Sequence, residues 1–144
     1  MNAAAPLYTR DILRLAASIP GQRSFDEIDG PILRSPTCGS RLAMLVTLDP
    51  KGRVTSIEQA VEACAFGQAA AALLGKSAIG VNGAEAEAAL ARVEAWLGGA
   101  DAEPWPGMVA LEPARARRGR HGAILLPFRA LVQAIGVAAI EAAA

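Results

Sequence analysis

Apolar and polar positions change their period along the chain, and the changes divide it into a helix, a small sheet and a run of helices. Leu7, Ile12, Leu13, Leu15 and Ala16 share a rough face over residues 7–18, which predicts a first helix ended by Pro20-Gly21. A polar stretch from Gln22 to Asp29 follows, then Gly30-Pro31 as punctuation. Pro31 to Arg34 reads as a short edge strand, where proline is tolerated. Ser35-Pro36-Thr37-Cys38-Gly39 reads as a tight loop, because proline and glycine both demand special backbone geometry. Arg41 to Leu48 is apolar and partly β-branched, Asp49-Pro50-Lys51-Gly52 is a hairpin turn, and residues 53–61 alternate loosely around Val54, Ile57 and Val61. These make two long antiparallel strands.

At Glu62-Ala63-Cys64 the texture changes. Ala65 to Leu74 are almost all strong helix formers, and Gly75-Lys76 is the expected stop. A further helix spans about Ala84 to Leu97, with Leu90, Val93 and Leu97 on one face, and Gly98-Gly99 ends it. Residues 100–107 carry Pro104 and Pro106 around Trp105 and read as a loop. A last helix should start near Arg120 or Ala123 and run to about Ile140. Helix, two to three antiparallel strands, then several helices gives an α+β domain with helices packed on one face of a small sheet.

Length and composition narrow the function classes. At 144 residues the chain is one ordinary domain, 1–144, and 53% apolar against 19% charged residues excludes a disordered chain. Fourteen Lys+Arg balance fourteen Asp+Glu, so no global field recruits nucleic acid or an anionic membrane. Met1 to Pro6 lacks the pattern of a secretory signal. Gly122 to Ala144 is apolar, but Pro127, Arg129, Gln133 and Glu141 interrupt it, which favours a buried helix over a membrane span. The expectation is a soluble, cytoplasmic domain.

Candidate chemistry centres on the two cysteines. Cys38 sits in a Pro/Gly loop before a strand, and Cys64 where a strand hands over to a helix. A helix N-terminus presents free amides and partial positive charge, which suits the thiolate that binds metal. A hairpin between them returns the chain so that both ends meet at one side of the sheet. The plainer reading makes each a small buried hydrophobe. His121 is the single histidine, preceded by Arg115, Arg117, Arg118 and Arg120. It is either a solvated polar residue or a nitrogen ligand beside the thiolates, with the arginines holding an anionic partner. No Walker loop, dinucleotide fingerprint, nucleophile-elbow serine or HExxH motif occurs.

Ser35-Pro36-Thr37-Cys38-Gly39-Ser40-Arg41, then Cys64 opening a small-residue helix followed by Gly75-Lys76-Ser77, resembles the U-type iron–sulfur assembly scaffolds, the IscU, SufU and NifU N-terminal family. The likeness extends to Leu7-Tyr8 and Ala130-Leu131, and the segment between Gly80 and Pro106 is closer to the SufU branch. The resemblance implies an IscU/SufU-like fold and a scaffold or carrier rather than an enzyme. It implies Cys38 and Cys64 as thiolate ligands of iron or an iron–sulfur cluster, with zinc as the alternative. His121, one position before the residue that is histidine or lysine in relatives, is the candidate third ligand provided this stretch is not yet helical. Its partners would be a cysteine desulfurase and other cluster-assembly proteins. Two departures bear on this: the aspartate usual after Cys-Gly is Ser40, and the third cysteine before the last helix is Ala123, preceded by Gly122.

A [2Fe–2S] cluster normally takes four protein ligands. One chain therefore holds a labile cluster or a water-completed zinc, or two chains in a homodimer pool four cysteines. The competing expectations are a metal-free scaffold that only docks on assembly proteins, and a SufU-like zinc-dependent sulfur acceptor with the persulfide on Cys38 or Cys64.

Overall fold

The structure, a computed structural model, describes residues 8–36 and 39–143. Its elements run α1 (Arg10–Ala16), β1 (Ile32–Arg34), β2 (Arg41–Leu48), β3 (Val54–Glu62), α2 (Ala65–Ser77), α3 (Gly83–Leu97) and α4 (Arg118–Ala143), with 3-10 segments at Phe25–Glu27 and Met108–Ala114. This is the expected α+β order around a three-stranded antiparallel sheet, β1-β2-β3. Leu42, Met44 and Val46 of β2 lie opposite Val61, Gln59 and Ile57 of β3 and turn toward the helices. Ala43 and Ala60 face the other way, under Ile28, Phe25 and Leu45. The 22–30 segment thus covers the face the helices leave open, a covering the polar composition of Gln22 to Asp29 does not announce.

The centre of the domain is α2. Ala69, Ala70, Ala71, Ala72 and Leu74 are all fully buried, so this helix is apolar on every side. Small side chains let β3, α1, the 3-10 helix and α4 approach it together. Gln59, also fully buried, ties β3 to it by donating from Nε2 to the Ala71 carbonyl at 3.1 Å. The helix does not stop at Gly75. A Cβ there would meet Gln59 Nε2 at 3.0 Å and the Pro20 ring at 3.1 Å, so the glycine serves close packing, and α2 continues to Ser77.

Other ends also differ from expectation, for local reasons. The first helix starts at Arg10 because the Thr9 hydroxyl accepts the Ile12 N–H at 3.2 Å, a side-chain N-cap. Residues 108–114 wind as a 3-10 helix that buries Met108, Leu111 and Ala114, a spacing of three that matches its pitch. Trp105 in the preceding loop is buried, with its indole N–H on the Leu73 carbonyl at 2.8 Å and its ring edge-on to Phe128. Helix α4 begins at Arg118, earlier than expected. It is long and apolar enough to cross a membrane, yet 56% of its apolar window is buried inside the domain, against β2, α2 and α3.

α3 opens on a capping box: Asn82 Oδ1 accepts the Glu85 N–H at 2.8 Å while Glu85 accepts the Asn82 N–H at 3.1 Å. Arg53, from the β3 side of the hairpin, reaches the same carboxylate at 2.7 Å. The Asn82 N–H and then the Arg53 guanidinium hold the Glu85 carboxyl below its ordinary 4.5. A depressed folded value means that this stabilisation is complete above the ordinary value and is lost as pH falls through the lower folded one. Unfolding midpoints measured from about pH 6 down to about pH 3 should therefore fall, and Glu85→Gln should flatten that slope. An unchanged slope in the variant would show the pair contributes nothing.

Candidate functional site

The β2–β3 register decides which segments meet. Arg41 pairs with Glu62 across the strands, so the loop that feeds β2 and the turn that leaves β3 emerge at one end of the sheet. That loop is closed at its base: the Ser35 N–H donates to the Ser40 carbonyl at 2.8 Å and the Gly39 N–H to the Ser35 carbonyl at 3.2 Å. Cys38 belongs to this loop by sequence and lies outside the described residues. Two residues beyond Glu62, Cys64 is the N-cap of α2, with extended φ −64° and ψ 169°. Its carbonyl accepts the Gln68 N–H at 2.9 Å, and its side chain makes no capping hydrogen bond. The thiol is half-buried, resting on the edge of the core. It is neither sealed in hydrocarbon nor fully solvated.

Charged side chains brace this end of the sheet. Arg41 donates to Glu62 at 3.0 Å and lies over the Phe25 ring at 4.1 Å. Arg34 stands opposite Arg41 on β1. The Glu62 carboxyl is held below its ordinary 4.5, first by the hydrogen bond from Arg41 and then by its charge. Sequence reading did not single out this brace. Arg41 and Glu62 begin and end two strands of nearly equal length, and their partnership depends on a register that only the hairpin turn determines.

Ala123 also reaches this region. A Cβ added at Gly67, one turn into α2, would meet Ala123 Cβ at 3.1 Å and Ala63 Cβ at 2.8 Å. Ala123 is buried and offers no donor atom. His121 is placed elsewhere. Its Nε2 lies 3.0 Å from the Arg115 carbonyl and 3.2 Å from the Ala114 carbonyl, so it donates to the end of the 3-10 helix. Two residues apart on a helix is about 200° of rotation, so the imidazole leaves α4 on a different side from Ala123. The expectation that His121 replaces a missing ligand required this stretch to be non-helical, and α4 already includes it. Among the described residues, no group of three or more His, Cys, Asp and Glu could hold a metal ion.

The arginines before His121 are not one solvated face. Arg115 is pinned by the Trp96 carbonyl at 2.9 Å, the Ala100 carbonyl at 2.8 Å and Glu112 at 3.2 Å, with its guanidinium over the Trp96 ring. It caps the C-terminal end of α3, where the helix dipole favours a cation.

Solved structures share this fold along nearly the whole chain. A nitrogen-fixing NifU-like protein (N-terminal) from Brucella abortus superposes with a TM-score of 0.79 at 26% identity, over 94% of this chain and 96% of that one. The fold is that of the U-type scaffolds. A second U-type structure, the SufU protein of the thermophile Fervidobacterium islandicum AW-1, described as an iron–sulfur cluster assembly scaffold for the SUF system, gives 0.73 at 17% identity over 90% and 96%. A hypothetical protein of solved structure gives 0.70 at 20% identity over 88% and 94%. No protein-family model and no curated protein matches the sequence. The U-type fold was therefore visible in a handful of residues around Cys38 and Cys64, while overall sequence similarity stays low.

Proposed function

We propose that this chain is a divergent scaffold or carrier in iron–sulfur cluster assembly, which takes iron or a labile cluster as cargo on Cys38 and Cys64. The observation that carries the reading is the Arg41–Glu62 register, which brings the loop closed at Ser40 and the N-cap of α2 to one end of the sheet. The likeness to a NifU-like domain and to a SufU assembly scaffold supports it. Thiolates suit iron and zinc alike, and a helix N-terminus favours an anionic ligand set. Two thiols from one chain leave a cluster short of its usual four ligands. The remaining positions fall to a second chain, to a small thiol or to water, which makes the cargo easy to release. The implied partners are a cysteine desulfurase and other cluster-assembly proteins, in the cytoplasm. His121, on this reading, secures the 3-10 helix to α4 and is not needed for the cargo.

Anaerobic reconstitution with ferric iron and sulfide should give visible absorbance that Cys38→Ala and Cys64→Ala each lose, with far-UV circular dichroism unchanged. Equal colour in wild type and both variants would reject the proposal. A second reading is favoured by Ala123, which fills with a methyl the place beside α2 where a donor would help: a metal-free module that only docks on assembly proteins. Purification under reducing conditions without iron or zinc, together with failed reconstitution, would favour that reading.

A further inference from the structure

A cavity of about 250 Å³ opens between the β1–β2 edge of the sheet and the C-terminal half of α4. Its helix wall is formed by Ala130, Gln133, Ala134, Val137 and Ala138, which recur at the spacing of one helix face, and its sheet wall includes Leu33 and Val46. Small residues on the helix leave the gap unfilled, although Leu131 and Ile135 on the neighbouring face pack into the core. Asp29 and Glu141 stand on the rim, and neither forms a salt bridge among the described residues. No lysine or arginine lines the cavity. Ile32, at the outer edge of the sheet beside it, is 41% exposed.

The geometry points to a docking site for a partner protein segment that carries one leucine- or phenylalanine-sized side chain flanked by lysine or arginine. Size favours a single side chain, because the volume falls below the ~300–1,000 Å³ typical of small-molecule sites. Charge decides the flanks: two unpaired carboxylates beside an apolar hole reward a cation on either side of the anchor and repel an acidic segment. The site is independent of the cysteines. It stands whether or not the chain carries a cluster.

The test uses the full chain, labelled with ¹⁵N, and a capped synthetic peptide with one leucine between pairs of lysines. Saturable amide shifts are expected at Leu33, Val46, Ala134 and Ala138. Replacing the peptide leucine by alanine should weaken binding about tenfold, the worth of one buried aliphatic side chain. Glutamates in place of the lysines should abolish it. Asp29→Asn with Glu141→Gln should weaken the lysine peptide about fivefold. Ala134→Leu should block it by filling the cavity, and Ala138→Leu, nearer the surface, serves if the first variant does not fold. No saturable shift, equal response to the glutamate or alanine peptide, or shifts confined to another face would overturn the proposal. So would the same shifts on concentrating the chain alone, which would make a second copy the occupant.

Discussion

Phe66→Ala should cost about 3–5 kcal/mol of folding stability, in the range found for a fully buried aromatic truncated to a methyl. Phe66 is completely buried in the first turn of α2, two residues after Cys64, with the Tyr8 ring 5.1 Å away and inclined at 60°. Its loss leaves a cavity that neighbouring alanines are too small to fill, and cavity volume is what sets the penalty. For a domain of ordinary stability this is a large share of the total. Urea denaturation measures it directly. Because Phe66 anchors the turn that presents Cys64, the variant should also quicken alkylation of that thiol. A loss below about 1 kcal/mol would mean that α2 is not the centre of the core.

Gly21→Ala should cost on the order of 3 kcal/mol, from two sources acting together. Gly21 has φ +67°, a left-handed conformation that penalises any Cβ, and that Cβ would run into the Ile57 carbonyl. The close approach is what lets the chain pair with β3: the Gln59 N–H donates to the Gly21 carbonyl at 3.0 Å, and the Arg23 N–H to the Gln59 carbonyl at 2.7 Å. Losing these bonds would free the 22–30 segment that covers the outer sheet face. Gly52→Ala is the control. Its φ is +79° with nothing within 4 Å, so it pays the conformational cost alone, about 1–2 kcal/mol. Equal losses in the two variants would show that the contact with β3 adds nothing.

Much of the fold was legible because its signals are local. Asp49-Pro50-Lys51-Gly52 marks the hairpin, and its strands run Arg41–Leu48 and Val54–Glu62, nearly as their patterning predicts. Gly98 ends α3 as its place after Leu97 predicts. What escaped was decided by tertiary contact. Gly75 reads as a stop, yet it is the point where Gln59 and Pro20 press on α2. The alanines of α2 read as helix propensity, and their role is to be small at the centre of the core. Gln22 to Asp29 reads as a polar stretch, while Phe25 and Ile28 within it close the second face of the sheet.

The site divides in the same way. Cys64 sits where the strand-to-helix handover puts it, since cap position follows from local chemistry. Cys38 lies outside the described residues. His121 could not be placed from sequence, because a lone histidine carries no periodic signal and its direction depends on where α4 begins. With a start at Arg118, before either expected start at Arg120 or Ala123, it meets the Ala114 and Arg115 carbonyls.

Anaerobic cobalt(II) titration is the sharpest check on whether Cys38 and Cys64 grip one ion, because the thiolate-to-metal charge-transfer band grows with the number of sulfur ligands. Wild type should show the band, His121→Ala should keep it, and Cys38→Ser and Cys64→Ser should each lose about half or more of it, since removing either thiol strips the same ion. Undiminished intensity in either cysteine variant would mean that the two thiols never share a metal.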